Sequence, residues 1–142
     1  MGVGNDLKKR ILEEMTVEYK DVLERSFDLA KQFIRISREG KVIILMKDRF
    51  SGKEQILLYL VGKLYAKYVG YSSSEEVGNE ELMRELGFAK GSLLPWLKEL
   101  RDSRKIRSIR KGKYTYHTIP INLVEKVLKY IVKKAKNISG ED

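Results

Sequence analysis

Nine basic residues fall between positions 90 and 118, against only Glu99 and Asp102. Lys90, Lys98 and Arg101 stand at spacings compatible with the outer face of one helix, and Arg107, Arg110, Lys111 and Lys113 crowd a short stretch around Gly112. Guanidinium and ammonium groups at this density do one kind of chemistry well, the neutralisation of phosphates along a polyanion. Tyr114 and Tyr116 alternate with them and offer rings either for stacking on bases or for covering a sheet. The charge is regional. Residues 1–50 hold 11 Lys/Arg and 9 Asp/Glu, residues 51–89 hold 4 and 6, and residues 90–142 hold 14 and 5, so the net +9 of the chain lies in its last part. A thermophile surface rich in Lys and Glu would mix both signs; segregation favours a nucleic-acid partner.

Other chemistry is poorly supplied. The 142 residues include no cysteine, which excludes disulfides, thiol nucleophiles and thiolate zinc sites. The single histidine, His117, has no Asp, Cys or second His beside it and is expected to be an edge-strand residue. Glu13-Glu14 and Glu75-Glu76 are adjacent pairs whose side chains diverge on a helix, so neither makes an acid–base or metal pair. Ser51-Gly52-Lys53 imitates the end of a phosphate loop, but Lys47 stands where the first glycine is required. No enzymatic activity, metal or cofactor is expected, and no apolar run is long enough for a membrane span, so a soluble, cytoplasmic, nucleoid-associated protein is expected.

The elements that must position the basic residues follow from periodicity. Leu12, Met15, Tyr19, Val22, Ser26, Leu29, Phe33 and Ile36 step by threes and fours and predict one amphipathic helix over about residues 6–38, capped by Asn5 or Asp6 and stopped by Gly40. Such a helix either pairs with a second copy or bends over its own domain. Residues 42–46 read as a strand, 54–70 as a strongly apolar helix, and 72–76 as a polar linker. Asn79 is placed to cap a short helix that ends at Gly87. A second helix spans about 90–102 with Leu93, Trp96, Leu97 and Leu100 inward, and two extended runs, 105–110 and 113–119, flank the turn at Gly112. A last helix carries Val124, Val127, Leu128, Ile131 and Val132 inward.

The order helix, short helix, turn, helix, basic hairpin is that of a winged helix. The stretch NEELMRELGFAKGSLLPWLKELRDSRKIRSIRKGKYTY, residues 79–116, resembles the winged helix-turn-helix domains of archaeal and bacterial transcriptional regulators. The resemblance implies a mainly α fold with a small β-hairpin (α+β), a long N-terminal helix over 1–40, a winged-helix domain over 41–119, and a C-terminal helix and tail over 120–142. It implies a recognition helix over 90–102 and a wing over 107–116. The nucleic-acid contacts it points to are Lys90, Ser92, Lys98, Arg101, Arg107, Arg110, Lys111, Lys113 and Tyr114, on duplex DNA or alternatively RNA, with a homodimer built on the N- or C-terminal helices.

The chain departs from that pattern at three places. Leu94 and Pro95 occupy the positions that read bases, and neither forms bidentate hydrogen bonds to a base edge. Pro95 belongs in a first helical turn, which would start the regular helix near Ser92 with Ser92 as its N-cap. Ser103-Arg104-Lys105 stands where a glycine often ends the recognition helix. Leu94 and Trp96 are accordingly candidates for a base or protein contact, and a protein-interaction module is the alternative function. An open apolar patch joining the two would favour that alternative.

Overall fold

A computed structural model describes residues 3–16 and 18–138. The fold is α+β, with helices and two small antiparallel sheets. The elements are α1 (Val3–Arg10), continued by a π-helical turn (Ile11–Met15), then α2 (Tyr19–Ala30), β1 (Ile34–Ile36), β2 (Val42–Ile44) and α3 (Gly52–Tyr68). After them come β3 (Val77–Gly78), α4 (Asn79–Leu86), α5 (Lys90–Asp102), β4 (Arg107–Lys111), β5 (Tyr114–Thr118) and α6 (Val124–Ile138).

The single helix expected over 6–38 is not formed. Thr16 and Glu18 are both extended, which separates α1 from α2, and the chain after Ala30 turns into a strand. The heptad steps hid two different environments. Val22, Leu23, Ser26 and Ala30 are buried where α2 lies on α3 and α6, whereas Leu7, Ile11, Leu12 and Met15 are all exposed. Ile34-Arg35-Ile36 has two periods at once. Its spacing from Leu29 suits a helix, but its β-branched alternation suits a strand, and pairing with β2 decides it. The register is Ile34↔Ile44, Arg35↔Ile43 and Ile36↔Val42. Gly40 therefore does not stop a helix but turns this hairpin, with φ +85° and its amide donating to the Ser37 carbonyl at 2.9 Å.

α3 is the centre of the molecule. Ile56, Leu58, Tyr59, Leu60, Val61 and Leu64 point in several directions yet are all buried, as expected of a helix covered on every side. Ser51 starts it with a capping box, accepting from the Glu54 amide while the Glu54 carboxylate accepts from the Ser51 amide. Gly62 admits the first hairpin, because a Cβ there would come 2.4 Å from Val42 Cγ1.

The second sheet has the order β3-β5-β4, with β5 in the middle. β3 follows directly on the segment read as a linker. Two residues, Val77 and Gly78, are too short a run to show alternation, and they pair only because His117 and Tyr116 are opposite them. α4 is fixed to α3 by polar contacts. Glu81 receives the Tyr59 hydroxyl at 2.5 Å and the Lys63 ammonium at 3.1 Å, and Lys47 donates to the last carbonyl of α4, Leu86 O, at 2.7 Å. α6 closes the far side with Val124, Leu128, Ile131 and Val132 buried. No helix among the described residues is long and apolar enough to cross a membrane.

Candidate nucleic-acid interface

α4 ends at Gly87 in the left-handed conformation, and three residues later α5 begins. Leu93, Leu97 and Leu100 bury the inner face of α5, which turns Lys90, Ser92, Leu94, Lys98 and Arg101 outward to solvent. Two capping assignments are corrected. Ser92 is not an N-cap: Ala89 holds that place and its carbonyl accepts from both Ser92 N at 3.1 Å and Leu93 N at 3.0 Å. The helix tolerates Pro95 further in, because the bond it cannot make would have gone to the carbonyl of Gly91, an exposed residue that water can satisfy. Asn79 is not a cap either; Gly78 precedes α4, and the Asn79 side chain is used elsewhere.

The β4–β5 hairpin sorts its cations onto two faces, as alternation along a strand requires. The pairs Arg107↔Thr118, Ile109↔Tyr116 and Lys111↔Tyr114 put Arg107 and Lys111 on one face, beside Tyr114 and Tyr116. There Lys111 pairs with Glu76 and lies 5.8 Å from the Tyr116 ring centroid. Ser108↔His117 and Arg110↔Thr115 put Arg110 on the other face, the one that looks toward α5. Arg110 donates from Nε to the Gly112 carbonyl at 3.1 Å, and Lys113 in the turn lies over Tyr114, 5.6 Å from its centroid. The basic residues predicted from the sequence are thus all exposed, but they do not form one surface.

Between α5 and β5 runs a cleft of about 470 Å³ lined by Leu94, Pro95, Lys98, Arg101, Thr115 and His117, among others. Lys98 pairs with Asp102 at 2.9 Å, an exposed pair of small energetic weight. His117 overturns its expected place. It sits in the central strand, fully buried, with Nε2 2.6 Å from Asn79 Oδ1 and Nδ1 2.7 Å from Ser108 Oγ. The acceptor on Asn79 makes Nε2 the protonated nitrogen, so Nδ1 accepts from the serine hydroxyl. Burial and the nearby Arg101 guanidinium push the imidazole down to about 4. The neutral ring therefore joins α4, β4 and β5 at the floor of the cleft. Nothing in the local sequence announces this, because Asn79 and Ser108 are 38 and 9 residues away.

A pH effect follows. The unfolded chain binds the His117 proton near pH 6.5 and the folded chain near 4, so stability is complete above 6.5 and declines as pH falls between those values. The expected slope is about 1.4 kcal/mol per pH unit. Urea unfolding between about pH 6.5 and 5, above the ordinary carboxylate range, measures it. His117→Gln should flatten the slope, and an unchanged slope would remove His117 as its source.

Trp96 is turned away from the cleft. It is half-buried, meets Phe88 edge-on at 5.0 Å, and fills the space where a Cβ on Gly52 would come within 2.4 Å of its ring. It packs on α3, not behind the hairpin, and does not join Leu94, which is 40% exposed, in one patch. No group of three or more His, Cys, Asp or Glu side chains that could hold a metal ion occurs among the described residues. No protein-family model, curated protein or solved structure matches the chain.

Proposed function

We propose that the chain is a non-enzymatic DNA-binding protein, a transcriptional regulator or chromatin-associated factor of winged-helix type. In this reading α5 is the recognition helix and the β4–β5 hairpin is the wing. The order α3, β3, α4, α5, β4, β5, with β5 between β3 and β4, supports the winged-helix assignment. The observation that carries the function is the α5–β5 cleft, lined by Lys98 and Arg101 of α5 and by Thr115 of β5, whose strand partner is Arg110. A phosphate backbone seated there meets the two α5 cations, with Arg110 on the adjoining hairpin. Leu94 and Pro95 at the front of α5 offer apolar contact and no hydrogen-bond donors, so binding rests on the backbone and on groove shape more than on base edges. Arg107 and Lys111, on the other face of the wing, act as flanking charges.

Anisotropy titration with a labelled duplex tests the reading. Binding that weakens steeply with salt is expected, and no binding at low ionic strength would sink it. Structured RNA competing better than duplex DNA would assign the cleft to RNA instead. A protein-interaction module is disfavoured because Trp96 is half-buried against Phe88 and α3 and does not extend the exposed Leu94 into a patch.

The protein is further proposed to act as a homodimer through α1 and its π turn. This segment is amphipathic, yet its apolar stripe of Leu7, Ile11 and Met15 is exposed. Two copies laid antiparallel about Ile11 place Leu7 of one beside Met15 of the other, and Lys8 and Lys9 opposite Glu14 and Glu13. Such a dimer can present two recognition helices to sites roughly 34 Å apart. Lys8→Glu/Lys9→Glu and Glu13→Lys/Glu14→Lys chains should each sediment as monomers, and their mixture as a heterodimer. A wild-type chain that is monomeric at micromolar concentration removes this arrangement.

A further inference from the structure

On the flank of α5 away from the wing lies a groove of about 730 Å³, bounded by the first turn of α3, the end of α5 and the outer side of α6. Leu57, Leu100 and Val127 form its floor, and Tyr130, 59% exposed, stands at its edge. Its volume lies in the range of sites that take small organic molecules.

The charges around it do not balance. Glu99 is paired with Lys53 at 2.7 Å, and Glu54 with Lys134 at 2.6 Å. Burial works against ionisation of Glu54, but the Lys134 ammonium and the Ser51 amide outweigh it and hold the carboxyl below its ordinary range. Both carboxylates are therefore committed to a lysine each. Arg104, Lys105 and Lys126 also line the groove, and none has an ion pair among the described residues.

The end of α5 shows why one of those cations is there. Lys105 N bonds back to Leu100 O at 2.9 Å, closing the helix through a residue in the left-handed region, and that residue is Arg104, with φ +61°. Glycine takes this position without strain; a side chain does not. The chain accepts the strain and gains a guanidinium on the groove wall. Strain of this kind collects at functional sites.

We infer that the α3–α5–α6 groove binds a small amphipathic organic anion, an aromatic or short acyl body carrying a carboxylate or phosphate. The apolar body lies on Leu57, Leu100 and Val127 under Tyr130, and the anionic group meets Arg104 and Lys126. The groove touches the last turn of α5, so an occupant bears directly on the recognition helix. The inference does not depend on the nucleic-acid reading, because its test uses no nucleic acid in its first arm.

The probe is anilinonaphthalene sulfonate, followed by fluorescence on the full chain. Saturable binding with one site per chain is expected, displaced by decanoate or by naphthyl phosphate; whichever displaces better identifies the anionic group. Arg104→Gly and Lys126→Glu should each weaken the probe at least tenfold. Lys129→Glu, on the same helix outside the groove, should leave it unchanged. Arg104→Gly should also keep or raise Tm, which separates loss of a ligand contact from loss of fold. Non-saturable binding, or affinity unchanged in Arg104→Gly and Lys126→Glu, overturns the inference. So does displacement by inorganic phosphate as effective as by naphthyl phosphate, which would mean charge alone. In a last arm, displacement of the probe by duplex DNA, with Arg104→Gly weakening the duplex, would assign these cations to the nucleic-acid surface.

Discussion

Under the proposed DNA-binding function, alanine at Arg101, Arg110 and Lys113 together is expected to abolish most low-salt binding to duplex DNA and to reduce the salt slope by about three. These three are chosen because the structure leaves their charges available. Arg110 and Lys113 spend only one hydrogen bond and one ring contact, and Arg101 has no ion pair among the described residues. Lys111, by contrast, is already committed to Glu76, so an Arg110→Ala/Lys111→Ala variant should lose less of the slope than its two charges suggest. The loss should be uniform across duplex sequences, since backbone contacts carry no sequence information. Circular dichroism and the melting temperature should be unchanged, because all three side chains are exposed. A triple variant that binds with the parental slope would remove these exposed cations of α5 and the hairpin from the mechanism.

Leu93→Ala should be more damaging to the fold than Leu100→Ala on the same helix. The side chain is fully buried where α5 meets α3 and α4, and a buried leucine truncated to alanine costs about 2–5 kcal/mol. Leu100 is nearly as buried, but it borders the open groove beside α6. Leu100→Ala should therefore fall toward the lower end of that range, since part of the space it vacates is continuous with solvent. Urea midpoints of the two variants at constant m-value give the comparison. Equal losses would mean that the groove collapses around the missing side chain.

The sequence was most legible where local signals and tertiary contacts agree. α4 ends at Gly87, α5 spans Lys90–Asp102, the hairpin turns at Gly112, and α6 buries its apolar stripe, as the periodicity and turn residues predict. It was least legible in the first forty residues. A step of three and four residues is the same arithmetic in an exposed arm, a buried helix and the approach to a strand; only the partners of Val22, Ile34 and Met15 distinguish them. β3 and Asn79 failed for a related reason. A two-residue strand and a side chain that bonds a histidine far along the chain carry no periodic signal.

What the sequence by itself determined is the supply of charge: the positive excess lies after Phe88, much of it on one helix and one hairpin, with no cysteine and one histidine for any other chemistry. That much follows from composition, since charge is local and additive along a chain. Which cations face the cleft, which flank it and which line a second groove was decided only by the tertiary structure. Strand register sends Arg110 and Lys111 to opposite faces although they are neighbours in sequence. Helix packing turns Trp96 inward and leaves Leu94 out, and a left-handed residue at the end of α5 brings Arg104 to a groove made with α6. Direction, unlike charge, is set by what a residue packs against.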